Sequence, residues 1–168
     1  MSGGWWRRNR LALPAMVLAL GALTWPASES AREQWWPNGE HVAHSPGADG
    51  WTTVDGVGLR LASFGPAEAP DPDDPIPAGH TVWRAEVEGT PADESLSCDV
   101  TLQDTEGLRY GSRGHYLPSF DDETFGLACG GDEPGGVVYF MLPDDSEPHA
   151  VRVRSLSTLP DYWLLPAG

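Results

Sequence analysis

The chain has 168 residues, with no Lys, 10 Arg and 25 Asp plus Glu, and a formal charge of −15. That length suits one globular domain beside a short hydrophobic segment. From Ala31 onward the imbalance sharpens to 7 Arg against 24 carboxylates, a net −17. Because phosphate backbones are held by Lys and Arg, this excludes nucleic acid as a partner class and disfavours anionic lipid headgroups for the globular part.

The first element is an apolar run of 15 residues, 11–25, with Arg7, Arg8 and Arg10 before it and Pro26 and Ser28-Glu29-Ser30 after it. A basic flank, an apolar centre and a polar exit predict a hydrophobic export helix in residues 1–30, with everything beyond it outside the membrane. As a helix the run reaches about 22 Å, short of a ~30 Å hydrocarbon core, which favours a signal peptide cut before Ala31. Trp5-Trp6 and Trp25 instead bracket the run as interfacial anchors do. The balance taken is a single-pass anchor in the cell membrane with the C-terminal domain outside, and secretion after cleavage is the alternative. A lipid-modified N-terminal Cys is excluded, because no Cys lies near the end of the run.

Residues 31–50 show neither a period of 2 nor of 3.6 and hold Pro, Gly, Asn and Ser, so they read as a juxtamembrane linker. Trp35 and Trp36 stand out within it as candidate contacts for a partner, an envelope protein or a glycan.

From Trp51 to the end, 51–168, the pattern turns to strands. Val57, Leu59 and Leu61 alternate with polar or small residues; so do Trp83, Ala85 and Val87, and then Leu96, Cys98, Val100 and Leu102. Each series reads as a half-buried strand. Residues 135–143 are apolar on both faces, as a central strand is, and end at Pro143. Residues 149–157 alternate again with Arg152 and Arg154 outward, and 161–166 close the sheet. Gly, Pro and Asp fill the intervals and supply turns rather than helices. About seven short strands so arranged predict an all-β fold, an Ig-like antiparallel β-sandwich after an N-terminal hydrophobic helix. Cys98 lies in the inward register of its strand, and in an exported domain it should form a disulfide with Cys129, stabilising the fold by roughly 3–4 kcal/mol.

The series Val57-x-Leu59-x-Leu61, Trp83-x-Ala85-x-Val87, Leu102-x-Asp104-x-x-Gly107-x-x-Tyr110 and Pro134-Gly135-Gly136 leading to Phe140-x-Leu142-Pro143 resembles a known group. These are the exported Ig-like domains of unknown function in actinobacterial and other Gram-positive lipoproteins, of the immunoprotective extracellular type; the match spans residues 51–157. The whole chain is similar to small hypothetical membrane proteins of Streptomyces-like organisms. The resemblance implies an exported sandwich in the cell envelope and no catalytic residue. Two features depart from it: the lipid-anchoring Cys is missing, and Gly89-Thr90 replaces an Asn often found after the second long strand.

Little else in the sequence carries chemistry. His41-x-x-His44 lacks the three or four converging ligands of a zinc site, and His80, His115 and His149 are isolated. The acidic stretches 71–74, 121–123 and 143–147 have no calcium-loop register and read as solvated turns, with a weak calcium site the sharper alternative. No G-x-S-x-G, H-E-x-x-H or P-loop occurs, and 111–114 lacks the setting of a nucleophile elbow. The expectation is a binding or accessory module rather than an enzyme, with no cofactor and no metal. Trp83 and Trp163 are expected in the core, which leaves Trp51 and Tyr162 as the other aromatic candidates for a glycan or peptide platform.

Overall fold

The computed structural model describes residues 10–68, 76–112 and 127–168. The chain divides into two units, Met1–Gly39 and Glu40–Gly168.

The first unit holds one helix, α1 (Ala12–Trp35). The sequence reading stops the helix near residue 30, whereas α1 runs past Pro26 to Trp35. Residues 27–34, rich in Ala, Glu, Arg and Gln, are good helix formers and sustain it. Its apolar part still ends at Trp25, and the last turns carry Glu29, Arg32 and Glu33. Among the described residues no helix is long and apolar enough to cross a membrane, so the transmembrane helix expected for 1–30 is not among them.

The second unit is built from ten strands among the described residues: β1 (Val42–His44), β2 (Thr52–Val54), β3 (Val57–Ala67), β4 (His80–Gly89), β5 (Ala92–Asp104), β6 (Arg109–Gly111), β7 (Leu127–Gly131), β8 (Gly135–Pro143), β9 (Pro148–Arg154) and β10 (Asp161–Pro166). Their hydrogen-bonded order is β1-β10-β9-β5-β7-β8-β4-β3-β2, with β6 beside β5. All pairs are antiparallel except β1 on β10. Among the described residues β1 and β2, the two ends of this path, are not paired, so the sheet is large and does not close into a barrel.

The pivot is β5. Its residues from Ala92 to Cys98 pair with β7, while those from Asp99 to Asp104 pair with β9. One strand thereby serves two sheet segments, as strands do at the corners of folded sheets. The predicted alternation is met along it: Cys98, Val100, Leu102 and Asp104 are buried and the residues between them are not. On β4, Ala85 and Val87 are buried in the same sense, and on β8 so are Val138, Phe140 and Leu142. These side chains join Leu59, Val151, Val153, Trp163 and Leu165 in one core. Residues 135–143 lie between β7 and β4, as expected of a central strand, but only the face of Val138, Phe140 and Leu142 is buried, and Val137 on the other face is exposed.

β1 differs from the sequence reading, which took 31–50 as linker. Val42, Ala43 and His44 pair with Asp161, Tyr162 and Trp163, because the exposed edge of β10 offers backbone groups that three extended residues can satisfy. A second unread feature is the β2–β3 hairpin, where Val54 faces Val57 across Asp55-Gly56. Asp55 has φ 48° and Gly56 φ 84°, the left-handed geometry that a two-residue Asp-Gly turn needs.

The disulfide joins Cys98 to Cys129, 31 residues apart with Cα atoms 6.0 Å apart. Cys98 faces Leu127 and Leu96 faces Cys129, so the bridge runs diagonally between adjacent strands β5 and β7. The bridge of antibody domains instead crosses between facing sheets.

Candidate binding surfaces

Three surface features could meet a ligand. The first lies at one end of the sheet, where the β2–β3 turn, the start of β5, the β7–β8 turn and residues 157–158 come together. Two adjoining cavities of about 580 and 550 Å³ share Pro91, Ala92 and Asp93. The larger adds Asp55 and Glu94, the smaller Asp132 and Glu133. Pockets that enclose small molecules are mostly apolar with a few convergent polar groups. These are open and lined mainly by Pro, Gly, Ala, Ser and carboxylates, with Val57, Leu96 and Thr158 added in the larger, so they suit a cationic or hydrogen-bond-donating surface rather than an enclosed ligand.

The second is the turn after β5, which the sequence marks as Asp104-x-x-Gly107-x-x-Tyr110. Asp104 is buried. Its Oδ1 accepts from the backbone N–H of Glu106 at 3.0 Å and of Leu108 at 2.8 Å. Its Oδ2 accepts from the Tyr110 hydroxyl at 3.0 Å, and that hydroxyl lies 2.9 Å from Ser146 Oγ. Every oxygen of Asp104 is engaged in building the turn, so the adjoining cavity of about 370 Å³ is a consequence of the turn rather than a ligand cradle.

The third lies on the outward face of β5, β6 and β9. Glu40, two residues before the start of β1, meets three guanidinium groups. Its Oε2 accepts from Arg152 Nη2 at 2.7 Å and Arg109 Nη1 at 3.0 Å, and its Oε1 is 3.2 Å from Arg154 Nη1. Arg152 also donates from Nη1 to Gln103 Oε1 at 2.9 Å, and its guanidinium lies 4.0 Å over the Tyr162 ring. Arg154 reaches Asp99 Oδ2 at 3.3 Å. Arg152 points outward in the pleat, as expected, yet is only 7% exposed, because Glu40 and Tyr162 cover it. Sequence reasoning missed this cluster; its sole trace was the outward placement of Arg152 and Arg154.

On the remaining outer surface, Arg60 lies 4.7 Å over the Trp51 ring and pairs with Glu88. The Arg84 guanidinium is held above its ordinary pKa, chiefly by its hydrogen bond to Glu86 and further by Tyr139, with burial acting the other way. Arg84 is charged at any physiological pH in either case, so this pair only positions the surface.

Of the residues singled out from sequence, Trp35 and Trp36 are exposed, at 77% and 61%. They belong to the first unit, at the end of α1 and the turn after it. Trp163 is fully buried and Tyr162 nearly so, while Trp83 is half-buried and stacks on Phe64 with ring centroids 5.1 Å apart. His44 Nε2 lies 2.5 Å from Asp161 Oδ1, and among the described residues no three His, Cys, Asp or Glu side chains gather as a metal site. In the acidic stretch 143–147, Asp144 accepts from the Thr81 hydroxyl at 2.7 Å. The stretches 71–74 and 121–123, His115 and residues 113–114 lie outside the described residues.

No family model, curated protein or solved structure matches this chain.

Proposed function

We propose that the chain is an exported binding or accessory module of the cell envelope, an Ig-like β-sandwich that performs no catalysis. The observation that carries this reading is the buried Cys98–Cys129 disulfide in an all-β unit on a chain that opens with an Arg-flanked apolar run. Disulfides persist in oxidising compartments, and such a flank directs translocation. The two sheet segments sharing β5 around one core support the sandwich. The partner is an envelope protein or a glycan, met through the exposed Trp35-Trp36 pair or the acidic end of the sheet, and tethering to the membrane runs through the N-terminal helix.

Secretion after cleavage before Ala31 is the second reading, favoured by the 15-residue apolar run, which at ~1.5 Å per residue falls short of a hydrocarbon core. Fusing a topology reporter after Gly168 tests export: activity outside the membrane is expected, and cytoplasmic activity rules the proposal out. N-terminal sequencing of the mature protein separates the two forms, since only the secreted one begins at Ala31.

A further inference from the structure

We propose that Arg109, Arg152 and Arg154 form a carboxylate-binding site and that Glu40 is its intramolecular ligand, an occupant that an external carboxylate can replace. The inference concerns the ligand chemistry of one face and stands whichever side of a membrane the domain occupies.

The concentration of charge is the first argument. From Ala31 onward the chain has only 7 Arg against 24 carboxylates, yet three of those Arg converge on Glu40, and among the described residues Asp99, on Arg154, is the second acid of the cluster. Among the described residues the cluster therefore carries one more cation than it has carboxylates, on a chain that is otherwise strongly negative. Packing alone needs one guanidinium to neutralise one buried carboxylate, and gathering additional ones costs desolvation and mutual repulsion.

The second argument is unused capacity. Arg152 Nε is buried with no hydrogen-bond partner among the described residues. A planar guanidinium presents its donors in a fixed fork suited to two-oxygen anions. Glu40 engages only one nitrogen of each of the three guanidiniums, so donors are left for a differently seated carboxylate.

The third is preorganisation. Gln103 and the Tyr162 ring hold Arg152 in place independently of Glu40, which lowers the ordering cost of binding. The occupant, by contrast, sits on a short segment at the sheet edge. Beyond its carboxylate it is held by the N–H groups of His41 and Val42 on Pro160 O, by the three-residue pairing of β1, and by His44 on Asp161. Replacing Glu40 would loosen β1 and uncover the β10 edge, which gives ligand binding a structural output. The ligand class is a carboxylate, on acidic peptide side chains or on a small organic acid.

The test uses the full-length protein in detergent as wild type, as Glu40→Gln, and as Glu40→Gln combined with Arg109→Ala and Arg154→Ala. Sodium acetate and a tetraglutamate peptide are each titrated against sodium chloride at equal ionic strength, because screening alone weakens ion pairs. The readouts are ligand-induced melting shifts and hydrogen exchange at residues 42–44. Glu40→Gln is expected to bind carboxylate at least tenfold more tightly than wild type, and the triple variant to lose that gain. In the wild type, acetate or the peptide should raise exchange at 42–44 where chloride does not. Equal affinities in wild type and Glu40→Gln, a gain that survives loss of the two arginines, or chloride acting as well as acetate each overturn the proposal. Should Glu40→Gln fail to fold, the wild-type exchange comparison decides alone. Tetraglutamate binding tenfold tighter than acetate assigns the site to peptide carboxylates; comparable binding assigns it to small organic acids.

Discussion

The indole Nε1–H of Trp163 on β10 donates to the carbonyl oxygen of Val57 on β3 at 3.0 Å, 106 residues away in sequence. The two strands lie near opposite ends of the hydrogen-bonded path, so this bond closes the folded sheet across its core. Trp163→Phe keeps most of the ring but leaves a buried carbonyl unpaired, with an expected loss of about 1–3 kcal/mol. Trp163→Ala also leaves a cavity, and about 3–5 kcal/mol is expected. Denaturant midpoints, with secondary structure checked by circular dichroism, measure both. A Phe variant as stable as wild type would show the bond contributes nothing.

Reduction of Cys98–Cys129 should add about 2 Da to the intact mass and remove about 2–5 kcal/mol of stability, the usual cost of losing a native disulfide from a small domain. Cys98→Ala with Cys129→Ala should reproduce the stability loss without reductant. An unchanged mass on reduction would mean that the thiols are free.

The Asp104 turn predicts an order of effects. Asp104→Ala strands the N–H groups of Glu106 and Leu108 and the Tyr110 hydroxyl, and about 2–4 kcal/mol should be lost. Tyr110→Phe removes one hydroxyl shared with Ser146 and should cost about 0.5–1.5 kcal/mol. A reversal of that order in thermal melts would show that the tyrosine, not the carboxylate, organises the turn.

Two ion pairs on the same domain should respond very differently to losing their acid. Glu88, which pairs with Arg60, is 46% exposed, and Glu88→Ala should change stability by no more than about 1 kcal/mol. Glu40 is 12% exposed and faces Arg152, which is 7% exposed. Glu40→Ala strands that buried charge and should cost about 3–5 kcal/mol. Matched denaturation curves of the two variants check the contrast.

Much of the architecture was legible in the sequence because it rests on local periodicity. Leu59, Ala85, Val87, Cys98, Val100 and Leu102 were placed inward by alternation, and all are buried. The length of α1 was misjudged because 31–50 was read as one aperiodic linker, whereas its first residues, Ala31 to Gln34, are helix formers that carry the helix on to Trp35. The strand β1 could not be read at all, since three residues carry no period and acquire strand geometry only by pairing with β10.

The sequence by itself determined the strong negative charge, the all-β alternation, the candidate disulfide partners and the basic flank of the apolar run. These are properties of composition and of neighbours within a few residues, where backbone geometry sets the repeat. Only the tertiary structure decided that the disulfide links adjacent strands, that Trp163 reaches Val57, and that Arg109, Arg152 and Arg154 meet on Glu40. Each depends on strand order and register, which bring residues 31 to 114 positions apart to within bonding distance, and no local rule of spacing encodes such meetings.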